Sequence, residues 1–219
     1  HLRDLLFSTD PINQELGLLL DRTQNQGRLA EALQQQYQPL LHAEQCTLIE
    51  LLRKPSIDLS RVPPVETLDI TGLVNLRRFY VYIMVDHLVA RDLPRLRVLF
   101  CNQVKLRTLV LAGLPRLQTL HGQNNRLVHL ALHQLPQLQQ VDATNNRLET
   151  LDLQGLPRLQ QLKCGSNALT QLDLSQTTAL QQLYCPDNQF SRLDSPSAPH
   201  LTTLACAQNQ LHTLLFPVT

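Results

Sequence analysis

No run of about 18 apolar residues interrupts the 219-residue chain, so nothing in it reads as a membrane-spanning helix, and no signal peptide is visible. A large charge of one sign is also lacking. The net charge of +1 gives no electrostatic case for nucleic acid or an acidic membrane surface. The seven glycines build no phosphate-cradling loop. Five cysteines are too few and too regularly placed for a disulfide framework, and fit a reducing compartment, which makes the cytoplasm the expected location. The first residue is His1 rather than Met, which leaves room for a removed leader or an upstream domain. With 43% hydrophobic residues the chain can nevertheless bury a sizeable core, and one elongated body with a cap accounts for it better than two globular domains.

What is present is a period. Cys164, Cys185 and Cys206 are each 21 residues apart, and stepping back by multiples of 21 lands on Ala143, Gly122 and Cys101. Cut at that interval, the chain gives "LPRLRVLFCNQVKLRTLVLAG" from Leu93, "LPRLQTLHGQNNRLVHLALHQ" from Leu114 and "LPQLQQVDATNNRLETLDLQG" from Leu135. "LPRLQQLKCGSNALTQLDLSQ" from Leu156, "TTALQQLYCPDNQFSRLDSPS" from Thr177 and "APHLTTLACAQNQLHTLLFPV" from Ala198 follow without a gap. The shared pattern LPxLxxLxCxxNxLxxLxLxx resembles the leucine-rich repeat in a short bacterial form. Upstream, the unit from Leu73 fits with one residue lost, Val85 and Leu88 taking the late leucine positions. "VPPVETLDITG" keeps only the second half of a unit, through Val65, Leu68 and Ile70. The division expected is therefore 1–54 outside the array, 55–92 as degenerate units and 93–219 as regular ones.

The resemblance implies an α/β leucine-rich repeat solenoid with a short-stranded parallel β-sheet on its concave face. Each segment such as "LQQLKC" is a strand whose side chains alternate, Leu162 and Cys164 inward, Gln161, Lys163 and Gly165 outward. No unit can bury its inner row alone, so stacking at ~4.8 Å spacing supplies the core. Cys101, Gly122, Ala143, Cys164, Cys185 and Cys206 are all small, as packing in a narrow coil requires, and thiols spread along a line cannot converge on a metal. Asn125, Asn146, Asn167, Asn188 and Asn209 stand where the chain leaves the strand, and an inward amide can both donate to and accept from backbone groups that lose ladder partners there.

Residues 1–54 have helical spacing instead. Asp10 reads as an N-cap with Pro11 at the first helical position, followed by Ile12, Leu16, Leu19 and Leu20 on one face. Leu29, Leu33 and Tyr37 recur at four-residue intervals, and Leu41, Leu48, Leu51 and Leu52 continue the pattern. Two or three short amphipathic helices capping the exposed end of the solenoid are expected, with a separate helical binding domain as the alternative.

Catalytic and metal constellations are not apparent, and no cofactor is implied. His129 and His133 form an HxxxH on the return side of a coil rather than on a helix, with no glutamate between them. Asp152, Asp173 and Asp194 share a repeat position as an exposed polar edge, too regularly separated to form one acid/base centre. Gly113 and Gly155 close repeats.

In such a scaffold the outward strand positions are free to carry recognition. One row runs Tyr80, Phe100, His121, Asp142, Lys163, Tyr184 and Ala205, and beside it Arg78, Val98, Thr119, Gln140, Gln161, Gln182 and Thr203. A third runs Tyr82, Asn102, Gln123, Thr144, Gly165, Pro186 and Ala207. Only 4% of residues are aromatic, yet Tyr80, Tyr82, Phe100 and Tyr184 all face this surface, unless the first three pack beneath the helical cap. Asp142 and Lys163 are placed to pair as an exposed bridge. The reading is a non-catalytic module that binds a protein or peptide through Arg78, Tyr80, Phe100, His121, Asp142, Lys163 and Tyr184, with no nucleic acid and no membrane involved. The alternative implied by the resemblance is the substrate-targeting part of a larger bacterial effector or enzyme, which would act in a host cell.

Overall fold

The computed structural model describes residues 2–11, 13, 14, 17, 21, 28–44, 48–57, 59, 62–194 and 198–215. Helices α1 (Leu2–Leu6), α2 (Arg28–Gln36), α3 (Gln38–Glu44) and α4 (Leu48–Arg53) precede the array. Tyr37 separates α2 from α3, and Pro39 sits in the first turn of α3, where its missing N–H leaves no bond unmade. Leu33, Tyr37, Leu48, Leu51 and Leu52 are buried as their spacing predicts, while Ile12, Leu16, Leu19, Leu20, Cys46 and the Leu29 side chain lie outside the described residues. A backbone bond from Gln14 N to Asp10 O, 3.2 Å, begins a helical turn at Pro11.

These helices lie on the first coil. The Tyr37 hydroxyl donates to the Thr71 carbonyl, and Asn75 Nδ2 donates to Leu52 O at 2.8 Å. Phe7 presses on Gly72, where a Cβ would stand 2.4 Å from the ring, so the contact needs glycine. Tyr82 is 75% exposed, and Tyr80 and Phe100 are half-buried rather than covered.

The fourteen strands among the described residues lie on two sides of the coils, alternating except at β10 and β11, and one side is continuous. The front strands β2 (Arg78–Tyr80), β4 (Val98–Phe100), β6 (Thr119–His121), β8 (Gln140–Asp142), β10 (Gln161–Lys163), β11 (Gln182–Tyr184) and β13 (Thr203–Ala205) form one seven-stranded sheet. All its pairs are parallel, and from β4 onward each residue faces its equivalent 21 positions away. The back strands form three separate ribbons: β1 (Val65–Asp69), β3 (Val85–Arg91) and β5 (Thr108–Ala112); β7 (His129–Ala131) and β9 (Thr150–Asp152); β12 (Arg192–Asp194) and β14 (Thr213–Leu215). Leu68, Leu88 and Leu109 face one another there, which confirms the register assigned to the degenerate units.

Each sequence feature has a mechanical counterpart. The LPxL tetrad is a β-turn with proline at its second position, closed by Leu96 N to Leu93 O, Leu117 N to Leu114 O and their equivalents in later coils. Thr177 replaces the leucine in one coil and remains fully buried because its hydroxyl donates to Leu174 O at 2.9 Å. Inward Leu162 and Cys164 are wholly buried, and outward Gln161 and Lys163 only partly. Gly165 departs from the expected open position, being covered by Pro186 of the next coil.

The asparagine row joins each coil to the one before it. Asn167 Oδ1 accepts from Leu148 N at 2.9 Å, and Nδ2 donates to Ala143 O at 3.0 Å and Cys164 O at 3.1 Å. Asn125, Asn146, Asn188 and Asn209 repeat the arrangement.

Candidate recognition surface

A three-residue strand projects its middle residue into the core and its outer two to solvent, so the parallel register turns a repeat position into a straight row. Phe100 faces His121, His121 faces Asp142, Asp142 faces Lys163 and Lys163 faces Tyr184 across successive pairs of the front sheet. Five of the seven predicted residues thus stand in one half-exposed stripe, with Tyr80 beside Phe100 and Arg78 exposed at the start of β2.

The first half of the stripe is an aromatic stack. Tyr82 and Tyr80 lie 6.1 Å apart between ring centroids, Tyr80 and Phe100 5.0 Å, and Phe100 and His121 4.3 Å, with interplanar angles of 8°, 9° and 3°. Tyr80, Phe100 and His121 leave three adjacent strands at one repeat position, which sets their rings side by side. Burial holds the His121 imidazolium below its ordinary pKa, Asp142 opposes that shift and Lys163 adds to it. The ring is therefore neutral at neutral pH and stacks as an aromatic.

The second half differs from the expected ion pair. Asp142 and Lys163 are neighbours but form no salt bridge. Asp142 Oδ1 accepts from Thr144 N at 3.1 Å, while Lys163 Nζ lies 5.7 Å from the centroid of the Tyr184 ring. A backbone N–H two residues on is a local partner needing no long side chain to be fixed, and the tyrosine face offers the ammonium an alternative to the carboxylate.

Two residues that the row analysis did not single out stand in the same two coils as the stacked Tyr80 and Phe100. Arg77 and Arg97 are exposed at the position before each strand, with Arg97 N bonded to Arg77 O at 2.8 Å. The signal was available as consecutive arginines in "LRRFY" and "LRVLF", one place outside the rows considered.

On the back face the histidines and aspartates of the repeat make local partners rather than one cluster. His129 Nδ1 is 2.9 Å from Thr150 Oγ1, and His133 Nδ1 is 3.4 Å from Asp152 Oδ2. Asp152 and Asp173 accept from Gln154 N and Ser175 N, and the Ser175 hydroxyl and amide hold the Asp173 carboxyl below its usual range. The Asp194 side chain lies outside the described part. Among the described residues no group of three His, Cys, Asp or Glu side chains is placed to hold a metal ion, and no helix is long and apolar enough to cross a membrane.

No protein-family model matches the chain, and no curated protein matches it. Among solved structures it is similar to the functional domain of InlJ from Listeria monocytogenes, described as including a cysteine ladder. The two agree at a TM-score of 0.64 with 28% identity, over 74% of this chain and 36% of that one. An internalin, InlF, also from Listeria monocytogenes, matches at TM-score 0.47 and 17% identity over 77% of this chain and 62% of the other. A leucine-rich repeat protein of Leptospira interrogans matches at 0.45 and 19%, over 77% and 57%. This chain thus spans less than two thirds of each of these proteins. Its 21-residue coils, asparagine row and small-residue row, together with the likeness to the InlJ domain, fit a leucine-rich repeat solenoid of the bacterial type.

Proposed function

We propose that this chain is a non-catalytic recognition module that binds a protein or peptide across the front, concave sheet. The observation that carries this reading is the unbroken register of His121, Asp142, Lys163 and Tyr184 across four adjacent strands. Three strand spacings make the stripe on the order of 15 Å long. It joins a neutral ring, a negative charge, a positive charge and an aromatic anchor on a rigid ladder. Little ordering entropy opposes binding to a surface already fixed, and Tyr184 supplies affinity while the charges set orientation. Residues 1–54 act as the cap that closes the apolar end of the array at residues 55–219, a role supported by the Tyr37 and Asn75 bonds across the junction.

The test uses a native partner captured by the intact chain and then purified. Tyr184→Ala and Lys163→Glu each weaken binding while the melting temperature stays nearly unchanged. Asp152→Lys and Asp173→Lys, on the back face, leave binding intact. Normal binding by the first pair together with loss in the second would move the working surface to the back of the coils.

A further inference from the structure

The front sheet is electrically lopsided. From residue 65 to 130 the sequence holds nine Lys and Arg against four Asp and Glu, and from 131 to 215 four against six. On the sheet itself the division is sharper. The segments 77–82, 97–102 and 118–123, which contain β2, β4 and β6, include Arg77, Arg78 and Arg97 and no carboxylate. The first acid along the stripe is Asp142 on β8. Arg77, Arg78 and Arg97 are exposed, and among the described residues none of them forms an ion pair.

The aromatic stack borne by the same coils has the same polarity. Tyr80 and Phe100 lie face to face, so their π-faces are occupied by one another and ring edges are what remain for a visitor. An aromatic edge carries the positive end of the ring quadrupole. The Tyr80 and Tyr82 hydroxyls have no hydrogen-bond partner among the described residues and are available as donors. Guanidinium groups, ring edges and phenol hydroxyls all favour the same visitor, one rich in carboxylates.

The geometry points to an acidic peptide segment as the partner for the β2–β6 end of the front sheet, gripped by Arg77, Arg78 and Arg97 and laid over the edges of Tyr80, Tyr82 and Phe100. This rests on the concave-face reading above and adds the partner's charge and its position. Single-stranded nucleic acid is the competing anion, but its bases need open ring faces to stack on, and here the inner faces are spent within the stack.

Fluorescence anisotropy with the intact chain and a fluorescein-labelled oligoglutamate peptide tests the inference, with oligolysine and oligouridylate of equal length as comparators. Oligoglutamate binds most tightly, and its affinity falls as salt is raised. The double variant Arg77→Glu, Arg97→Glu weakens it on the order of tenfold or more, since two charge-assisted contacts become repulsive. Tyr82→Ser weakens it less, and neither variant shifts the melting temperature, because the side chains are exposed. Asp173→Lys, on the back face, changes nothing. Tighter binding of oligouridylate would replace the peptide by nucleic acid. Preference for oligolysine, or indifference of oligoglutamate to the arginine reversals, would overturn the acidic partner. Weakened native-partner binding in Tyr184→Ala alongside either result would leave the concave-face reading standing without it.

Discussion

At the residue scale, the coil depends on which side chains complete backbone hydrogen bonds and which only fill space. Cys185 is wholly buried, and its row accommodates Ala143 in a neighbouring coil, so Cys185→Ala removes one sulfur from a tight site and costs about 1 kcal/mol. Burial pushes the Cys101 and Cys185 thiols up to about 12, and Cys164 well above its ordinary value, so the row packs as neutral thiol. Asn167→Ala is worse, by roughly 1–3 kcal/mol, because Leu148 N and Ala143 O each lose a partner. Asn167→Asp separates the two halves of that role, since a carboxylate still accepts from Leu148 N but turns its second oxygen on two carbonyls. Thermal melts should therefore rank wild type, Cys185→Ala, then both asparagine variants; an aspartate variant as stable as wild type would reduce Asn167 to an acceptor. His121 adds a pH term. Its folded pKa lies below the ordinary value, so the unfolded chain takes up the proton first, and the stability it contributes is full above ~6.5 and lost as pH falls toward the folded pKa. His121→Phe keeps the ring in the stack and removes this loss. The fall in melting temperature between neutral pH and about pH 5 should be smaller in the variant, with Asp142 and Lys163, which face the ring, left unchanged.

The coil as an element turns on left-handed residues that recur at two places, with Lys105, φ 69°, outside both. Asp92, Gly113, Gln134 and Gly155 occupy one place, with φ of 54°, 63°, 61° and 72°. Gln103, Asn124, Asn145, Ser166, Asp187 and Gln208 occupy the other, with φ between 52° and 61°. An L-residue in this region costs roughly 1–2 kcal/mol, against about 0.5–1 kcal/mol of extra chain entropy when glycine is ordered there. Gln134→Gly should therefore stabilise the protein by a few tenths to about 1 kcal/mol. Gly155→Ala should destabilise it by about 1 kcal/mol through backbone alone, because the nearest atom to the added Cβ is Gln134 N at 3.7 Å. Opposite shifts in the urea midpoint check this, and a destabilised Gln134→Gly would mean that the side chain makes a contact outweighing its strain. The sequence told the two places apart unevenly. Asn124, Asn145 and Asp187 belong to types that tolerate the left-handed region, whereas Gln103 and Gln134 do not, so the turn was visible in some coils and hidden in others. The inward and outward rows were legible throughout, because one misplaced residue would send an apolar row into water. The Lys163 contact with Tyr184 was not, since a repeat position fixes where a side chain starts and not which of two neighbours it reaches.

Over the whole molecule, curvature is a property that no single coil encodes. The front ladder is continuous through seven strands, while the back ladder breaks between β5 and β7 and again on both sides of the segment 170–174. That segment, "TQLDL", has the same texture as "ETLDL" around β9, yet only the latter is a strand. The difference arises from summation. With front strands held at ~4.8 Å by hydrogen bonds, any bend toward them spreads the outer side until some pairs can no longer reach. Clefts of about 410 and 450 Å³ open on either side of Gln171, Leu172 and Asp173, facing Thr150 and Leu151 in one direction and Ser191 and Arg192 in the other. Leu172 and Leu174 remain buried, so the segment is anchored by its side chains. None of the backbone N–H groups from Thr170 to Leu174 donates a bond within the described structure, although Glu149 N, one coil earlier, still reaches Val128 O at 2.9 Å. Hydrogen exchange reads this directly, because an amide without a protein acceptor exchanges without waiting for an opening event, whereas ladder amides require one. Amides of Gln171 to Leu174 should exchange well before Leu132 and Glu149 on the same face, whose N–H groups reach Asp152 O at 3.0 Å and Val128 O at 2.9 Å, and before Val141, Leu162 and Leu183 on the front sheet. Equal protection at Glu149 and Leu172 would show that the back ladder closes in solution, and that the curvature is taken up elsewhere along the coils.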